Sequence, residues 1–257
     1  MKYMIPVMVL FWTASGIVPV WAAQQAANEP SAAKSIEAVL VTGGHDFDEN
    51  AVLPFFKGLE GVHVTHAPQR DDSELFEDVA DWRYDVIVFY NMGTRISPER
   101  EKNLLGLLDK GTGVVVLHHA MADYPDWAEF ETIAGVRYLL KPREQDGTAI
   151  PGSTYQHDRD FKVHVADPAH PVTKGVADFE VHDETYKGCV FAPDNKPLLT
   201  TEDETSDLTI GWARKYKNSK VCVIQVGHGP QVFGQEPYRR LLTQAIRFCS
   251  PGATAGK

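Results

Sequence analysis

The stretch Gly113 to Leu117, Gly-Val-Val-Val-Leu, has no polar residue and no alternation, so a strand built from it has no face to offer to water. A glycine-led, β-branched run of this kind reads as a central strand of a parallel sheet, covered on both sides. It stops on two adjacent histidines, His118 and His119. Open α/β sheets bind ligands just beyond the carboxyl ends of such strands.

The neighbouring sequence repeats the pattern. Strands are expected at Ile36 to Val41, Val62 to His66 and Asp85 to Tyr90, with helices between them near Asn50 to Lys57, Ser73 to Ala80 and Pro98 to Leu108. The last helix has the clearest signals: Ser97 as N-cap, Pro98 in the first turn, an apolar stripe of Leu104, Leu105 and Leu108, and Gly111 beyond its end. Such alternation specifies an α/β fold with a mostly parallel central sheet flanked by helices. The second half reads differently. After a helix near Asp126 to Ala134 come short strands at Phe161 to Ala166, Phe179 to Val181, Pro197 to Thr200 and Thr209 to Arg214. These predict an antiparallel extension that returns to the sheet through Lys220 to Val226 and a last helix, Pro237 to Phe248. Lys141 to His157, polar and proline-bearing, is expected to be a loop that covers the site.

Residues 1–22 carry Lys2, an apolar run broken by prolines and a small-x-small ending at Ala22, the pattern of a secretory signal peptide. A leader rich in Ala, Gln, Asn and Ser (23–35), one domain (36–249) and a flexible tail (250–257) follow. The expected location is periplasmic or secreted. A formal charge of −10 argues against nucleic acid or an anionic membrane surface as partner and favours a neutral or cationic small ligand. The three cysteines, Cys189, Cys222 and Cys249, form no C-x-x-C pair and read as packing residues; if two are joined, Cys222 and Cys249 are the candidates.

A lone histidine after a strand is ordinarily a polar cap, but here the placement recurs: Gly43-Gly44-His45, His182-Asp183-Glu184 and Gly227-His228-Gly229 also stand at expected strand or loop ends. His164 alternates within a strand and reads as structural. If the ends converge, His119, Glu184 and His228 supply two imidazoles and a carboxylate, the donors of an open divalent-metal site. Adjacent residues of a strand point to opposite faces, so one of His118 and His119 faces the pocket and the other packs or orients. The same groups without a metal suit proton abstraction beside a ketone, with histidine as base and a second imidazole or Tyr186 as electrophile. Catalytic candidates are therefore His118, His119, Glu184 and His228. His45, Asn91, Asp183 and Tyr186 are candidates for binding substrate. Two glycines without a G-x-G-x-x-G run predict no nucleotide cofactor.

Taken in order, Gly43-Gly44-His45, Tyr84 to Asn91, Gly113 to Ala120, His170-Pro171, Asp183-Glu184-Thr185-Tyr186, Ile210-Gly211-Trp212 and Gly227-His228 resemble the ThuA-like trehalose-utilisation family over about residues 36–248. The resemblance implies a variant of the class I glutamine amidotransferase fold. There the turn after Gly113 to Leu117 would carry a nucleophilic cysteine; here it carries His118 and His119, so no glutaminase activity is expected. It also implies work on carbohydrate, as a lyase or hydrolase on glycosides or 3-keto-glycosides of trehalose type. The alternative is a noncatalytic sugar-binding or accessory protein that keeps the pocket.

Overall fold

The structure is a computed structural model and describes Met1, residues 35–70, 72–92 and 95–252. The expected export signal, all but the last residue of the leader and the final five residues of the tail lie outside the described residues, Met1 apart. From Ser35 onward the elements run β1 (Ile36–Gly43), α1 (Glu49–Lys57), β2 (Val62–Pro68), β3 (Val86–Asn91), α2 (Pro98–Asp109), β4 (Gly113–Leu117) and α3 (Ala128–Ala134). The second half continues with β5 (Val136–Arg137), β6 (Arg143–Gln145), β7 (Thr148–Ile150), β8 (Thr154–Val165), β9 (Phe179–Lys187) and β10 (Val190–Phe191). It closes with β11 (Lys196–Thr200), β12 (Thr209–Tyr216), β13 (Ser219–Ile224), α4 (Pro230–Phe233) and α5 (Glu236–Cys249).

One sheet organises these strands in the order β2-β1-β3-β4-β13-β12-β11-β8-β9. The pairs from β2 through β13 are parallel, and those from β13 onward are antiparallel. This is the expected α/β architecture with its antiparallel extension. Alternation along the central strands divides the core into two layers. Leu40, Val88, Val115 and Leu117 pack with Phe55, Leu241 and Ile246 on one side; Val39, Phe89, Val114 and Val116 pack with Leu104, Leu108 and Phe130 on the other. Each fully buried aliphatic side chain stabilises by about 1.5–3 kcal/mol relative to its exposed state. β4 contributes to both layers, which is why its sequence shows no alternation.

Two expected elements differ. Ser73 to Ala80 forms one 3-10 turn, Glu74–Phe76, rather than a helix. Ser73 is left-handed (φ 56), and the Asn103 side-chain amide donates to the carbonyls of Phe76 and Glu77. Those carbonyls are thus held by α2 instead of by a next helical turn. Lys141 to His157 is not a loop: it contains the β6–β7 hairpin and the start of β8. The first half of β8 and its partner β9 extend beyond the short β8–β11 pairing as a two-stranded arm.

The topology fixes where a site can lie. From β1 the chain steps outward to β2, then returns to β3 on the opposite side of β1. Loops leaving β1 and β3 therefore diverge and open a crevice at their carboxyl ends. At the start of β4, Gly113 lets the sheet approach α5 closely: a Cβ there would lie 2.2 Å from the Cys249 carbonyl oxygen and 2.8 Å from its Cβ. Gly113→Ala is expected to lower stability by about 1–3 kcal/mol through overpacking. Chemical denaturation measures it, and an unchanged midpoint would show that the interface yields freely.

Candidate functional site

Four strand ends and the β8–β9 arm meet above the crevice. At the end of β4 the chain turns through His118 with φ 48, a left-handed corner unusual for a side chain with a Cβ, and continues as a 3-10 turn, His118–Ala122. The corner sends the two histidines apart, their rings edge to face at 5.4 Å. His118 is buried, and its Nδ1–H donates to the Gln225 carbonyl at 2.6 Å, which leaves Nε2 as the working nitrogen. The Tyr186 hydroxyl lies 2.8 Å from that Nε2 and a Glu184 carboxylate oxygen 3.5 Å from it.

His119 faces the cavity and differs in kind. Its Nε2–H donates to the Tyr90 carbonyl at 3.2 Å, and its Nδ1 has no partner. The ring stacks on His45 at 4.5 Å. Burial, reinforced by the neighbouring imidazoles of His118, His45 and His228, pushes its pKa down to about 2. His119 is therefore an uncharged hydrogen-bonding group at neutral pH.

Asp183 and Glu184 diverge as neighbours on a strand must. One Asp183 oxygen accepts from the Gly227 amide at 2.7 Å; the other accepts from His228 at 2.9 Å and Gly229 at 3.2 Å. Tyr90 and Tyr238 donate to the Gly227 and Val226 carbonyls of the same loop. Asp183, expected to bind substrate, instead fixes the loop that carries His228. Glu184 points the other way, between His118 and His157. Burial alone would raise its pKa, but the hydrogen bonds and charges of His118, Tyr186 and His228 outweigh that and hold it below the usual carboxylate range. Burial and the Glu184 charge push Tyr186 well up, so its hydroxyl stays protonated.

His157 was missed at the sequence level because its segment reads as a loop. The β8–β9 register slips between Gln156 and Arg159, so His157 and Asp158 together oppose Glu184 in a bulge, with Asp158 left-handed at φ 55. The bulge aims the His157 Nδ1 at Glu184 Oε2, 2.5 Å away. A histidine inside the unbroken polar run Gln156 to Asp160 was the available signal.

These groups enclose a cavity of about 190 Å³ whose polar wall is His45, His119, His157, Glu184 and Tyr186. Met92, Ala122, Tyr138, Leu140 and Tyr155 form its apolar wall. Asn91 is buried at the end of β3, donates to Asp123 at 2.5 Å, and is not in the wall. None of the three cysteines is in the wall either, and all are unpaired thiols. Single donor atoms of His118, Glu184 and His228 lie within 4.8 Å of one another, so these three could hold a divalent ion. The set expected from sequence placed His119 where the structure has His118. The fit is good in one further respect: the Nδ1–H bond to Gln225 is the outer contact that orients a metal-binding imidazole.

Residues 17–249 match the ThuA family, described as trehalose utilisation. The chain belongs to the ThuA family. Two ThuA-like proteins of known structure share its fold. One, from Parabacteroides merdae, is 19% identical with a TM-score of 0.71, over 87% of this chain and 93% of its own. The other, from Bacteroides uniformis, is 21% identical with a TM-score of 0.61, over 86% and 94%. A β-galactosidase from Bacillus circulans contains the same fold in 31% of its chain, at 9% identity and a TM-score of 0.53, matching 84% of this one. No curated protein matches the sequence.

The buried imidazoles of this ThuA-family site make stability depend on pH with a definite sign. Below the ordinary histidine pKa of 6.5 the unfolded chain binds protons that folded His119 does not, and burial lowers His228 in the same direction. Stability should fall by roughly 1 kcal/mol per pH unit below pH 6 for His119 alone. Denaturation at pH 7 and 5 tests this: His119→Gln should flatten the dependence, and an equal slope in both proteins would place the effect elsewhere.

Proposed function

We propose that this ThuA-family chain is a lyase or hydrolase that opens the glycosidic C–O bond of a 3-keto-glycoside, with trehalose-type disaccharides as the substrate class. The observation that carries this reading is the His157–Glu184 pair, a carboxylate-held imidazole at 2.5 Å on the wall of a cavity that also presents aromatic faces and an uncharged histidine. In such a pair the carboxylate fixes the ring and steadies the charge it gains on taking a proton. His157 is the base in this reading.

The chemistry balances without a redox partner. His157 takes the proton from C2, which the C3 ketone acidifies, and the C–H electron pair moves to the ketone oxygen as an enolate. Collapse of the enolate forms the C1=C2 bond and breaks the C1–O bond; the departing oxygen takes up a proton as an alcohol. Addition of water across C1=C2 then gives net hydrolysis. His119 accepts a hydrogen bond from a sugar hydroxyl; Tyr186, whose single proton is donated to His118 Nε2, would turn it toward the oxygen that gains charge if an ion took that nitrogen. His45 and the rings of Tyr138 and Tyr155 shape the wall against the pyranose. A divalent ion held by His118, Glu184 and His228 would supply Lewis-acid stabilisation of that oxygen. An ordinary glycosidase needs two carboxyl groups flanking the bond, and among the described residues Glu184 is the one carboxylate of the cavity wall. The export pattern at residues 1–22 supports work outside the cytoplasm.

Product analysis by NMR tests the reading. The purified chain should convert 3-keto-trehalose and leave trehalose intact, with His157→Ala slowing turnover about 10²–10⁴-fold as expected for loss of a general base. Saturable binding of both sugars without product would instead establish a binding protein. A second measurement concerns the ion. Zn²⁺ or Mn²⁺ at a hundredfold excess over Kd should stabilise the chain by about 2.7 kcal/mol, an effect lost in His228→Ala. No thermal shift with either ion would remove the metal from the site.

A further inference from the structure

Cleavage of the C1–O bond needs a proton donor as well as a base, because the departing oxygen leaves as an alkoxide unless a proton meets it. Most polar side chains of the cavity wall have no proton to give. His119 gives its N–H to the Tyr90 carbonyl and turns a bare Nδ1 to the cavity. His45 gives its Nδ1–H to the Asp46 carbonyl at 2.6 Å. Glu184 is held ionised, and His157 beside it serves as the base. The Tyr186 proton goes to His118 Nε2. Among the wall side chains this leaves the hydroxyls of Tyr138 and Tyr155. Tyr155 is 57% exposed and shares its proton with water, whereas Tyr138 is 8% exposed.

We infer that Tyr138 is the catalytic acid of this reaction and donates its phenolic proton to the oxygen that leaves C1. The inference rests on the reading of the cavity proposed above. Tyr138 is held from two sides. Its backbone amide donates to the Met121 carbonyl at 3.2 Å, which ties it to the turn that carries His118 and His119. Its ring meets that of Tyr186 edge to face at 5.0 Å. Its hydroxyl makes no hydrogen bond among the described residues and is not a sealed group, so it opens on the cavity that the residue lines. Burial, then the neighbouring Cys189 and Glu184, raise its pKa to about 12, and the proton stays in place until an alkoxide is there to take it. In the step itself the C1–O electron pair passes to the departing oxygen, the Tyr138 proton joins it, and the alcohol leaves a tyrosinate behind. Water then adds its oxygen at C1 of the C1=C2 bond and returns a proton to Tyr138, while His157 returns to C2 the proton it took. Both residues end as they began.

Leaving groups of different acidity test this on the full chain. Tyr138→Phe should slow cleavage of methyl 3-keto-α-glucoside by about 10²-fold or more, the loss expected for a general acid. Cleavage of 4-nitrophenyl 3-keto-α-glucoside should slow by less than about threefold, because nitrophenolate leaves without needing a proton. In D2O the variant should still exchange the C2 hydrogen of the methyl glycoside, read by NMR, since His157 is intact; His157→Ala should lose exchange and cleavage together. The hydroxyl removed has no protein partner, so the thermal midpoint of Tyr138→Phe should match that of the unmodified chain. Equal slowing of both glycosides would make Tyr138 a packing residue, and slowing of neither would give the proton to another group. Either result overturns the acid while exchange at C2 keeps the base. If the unmodified chain neither cleaves nor exchanges either glycoside, the reading of the cavity falls and the acid falls with it.

Discussion

The carboxylate of Asp183 holds the site together. Three successive amides, those of Gly227, His228 and Gly229, converge as an anion-binding nest, and the chain fills that nest with its own side chain. Hydrogen bonds to a charged group contribute about 1.5–3 kcal/mol each. They also join parts of the molecule that sheet pairing leaves apart: β9 at one edge, and the loop that follows β13 near the centre. With Asp183 anchored, strand alternation presents Glu184 to the opposite side, where His118 and His157 meet it.

The histidines of the site have separate tasks set by what each ring nitrogen touches. His118 donates inward to a carbonyl and turns its other nitrogen to Glu184 and Tyr186. His119 is kept uncharged by burial among other imidazoles. His157, half-exposed on the arm, is paired with a carboxylate and open to solvent exchange. Identical side chains thus stand in three states, one oriented by a carbonyl, one uncharged and one paired with a carboxylate, and the backbone decides which is which.

Much of this was legible in the sequence. β4 and its two histidines, the parallel order, the antiparallel second half and the capped helix α2 all follow from local pattern, because burial on both faces and N-terminal capping leave direct marks on composition. His45 and His119 stand beyond the ends of β1 and β4 and line one cavity, whereas Glu184 and Tyr186 reach it from within β9, which runs on past the expected end at Val181. What pattern could not show was direction. Which of two adjacent histidines faces Glu184 depends on the left-handed corner at His118, and the role of Asp183 depends on amides more than forty residues away. His157 escaped because a register slip, invisible in a single strand's sequence, turns it onto the site. The expected helix at Ser73 to Ala80 failed for a similar reason, since the competing contacts come from Asn103 on another element.

The arm has one further consequence. Among the described residues no strand pairs with the outer edge of its first half, and the β8 side chains there are largely exposed, so it belongs to the least protected part of the sheet. The first half of the arm reaches the core through Tyr186 and the loop after β13 through Asp183, so opening it costs those contacts while the aliphatic packing of the central strands on α2, α3 and α5 stays in place. Glu184 and His157 would leave together in such an opening. The protein therefore has two thresholds of integrity, a lower one for an assembled site and a higher one for the fold, and hydrogen exchange at β8 and β9 reports the first without the second.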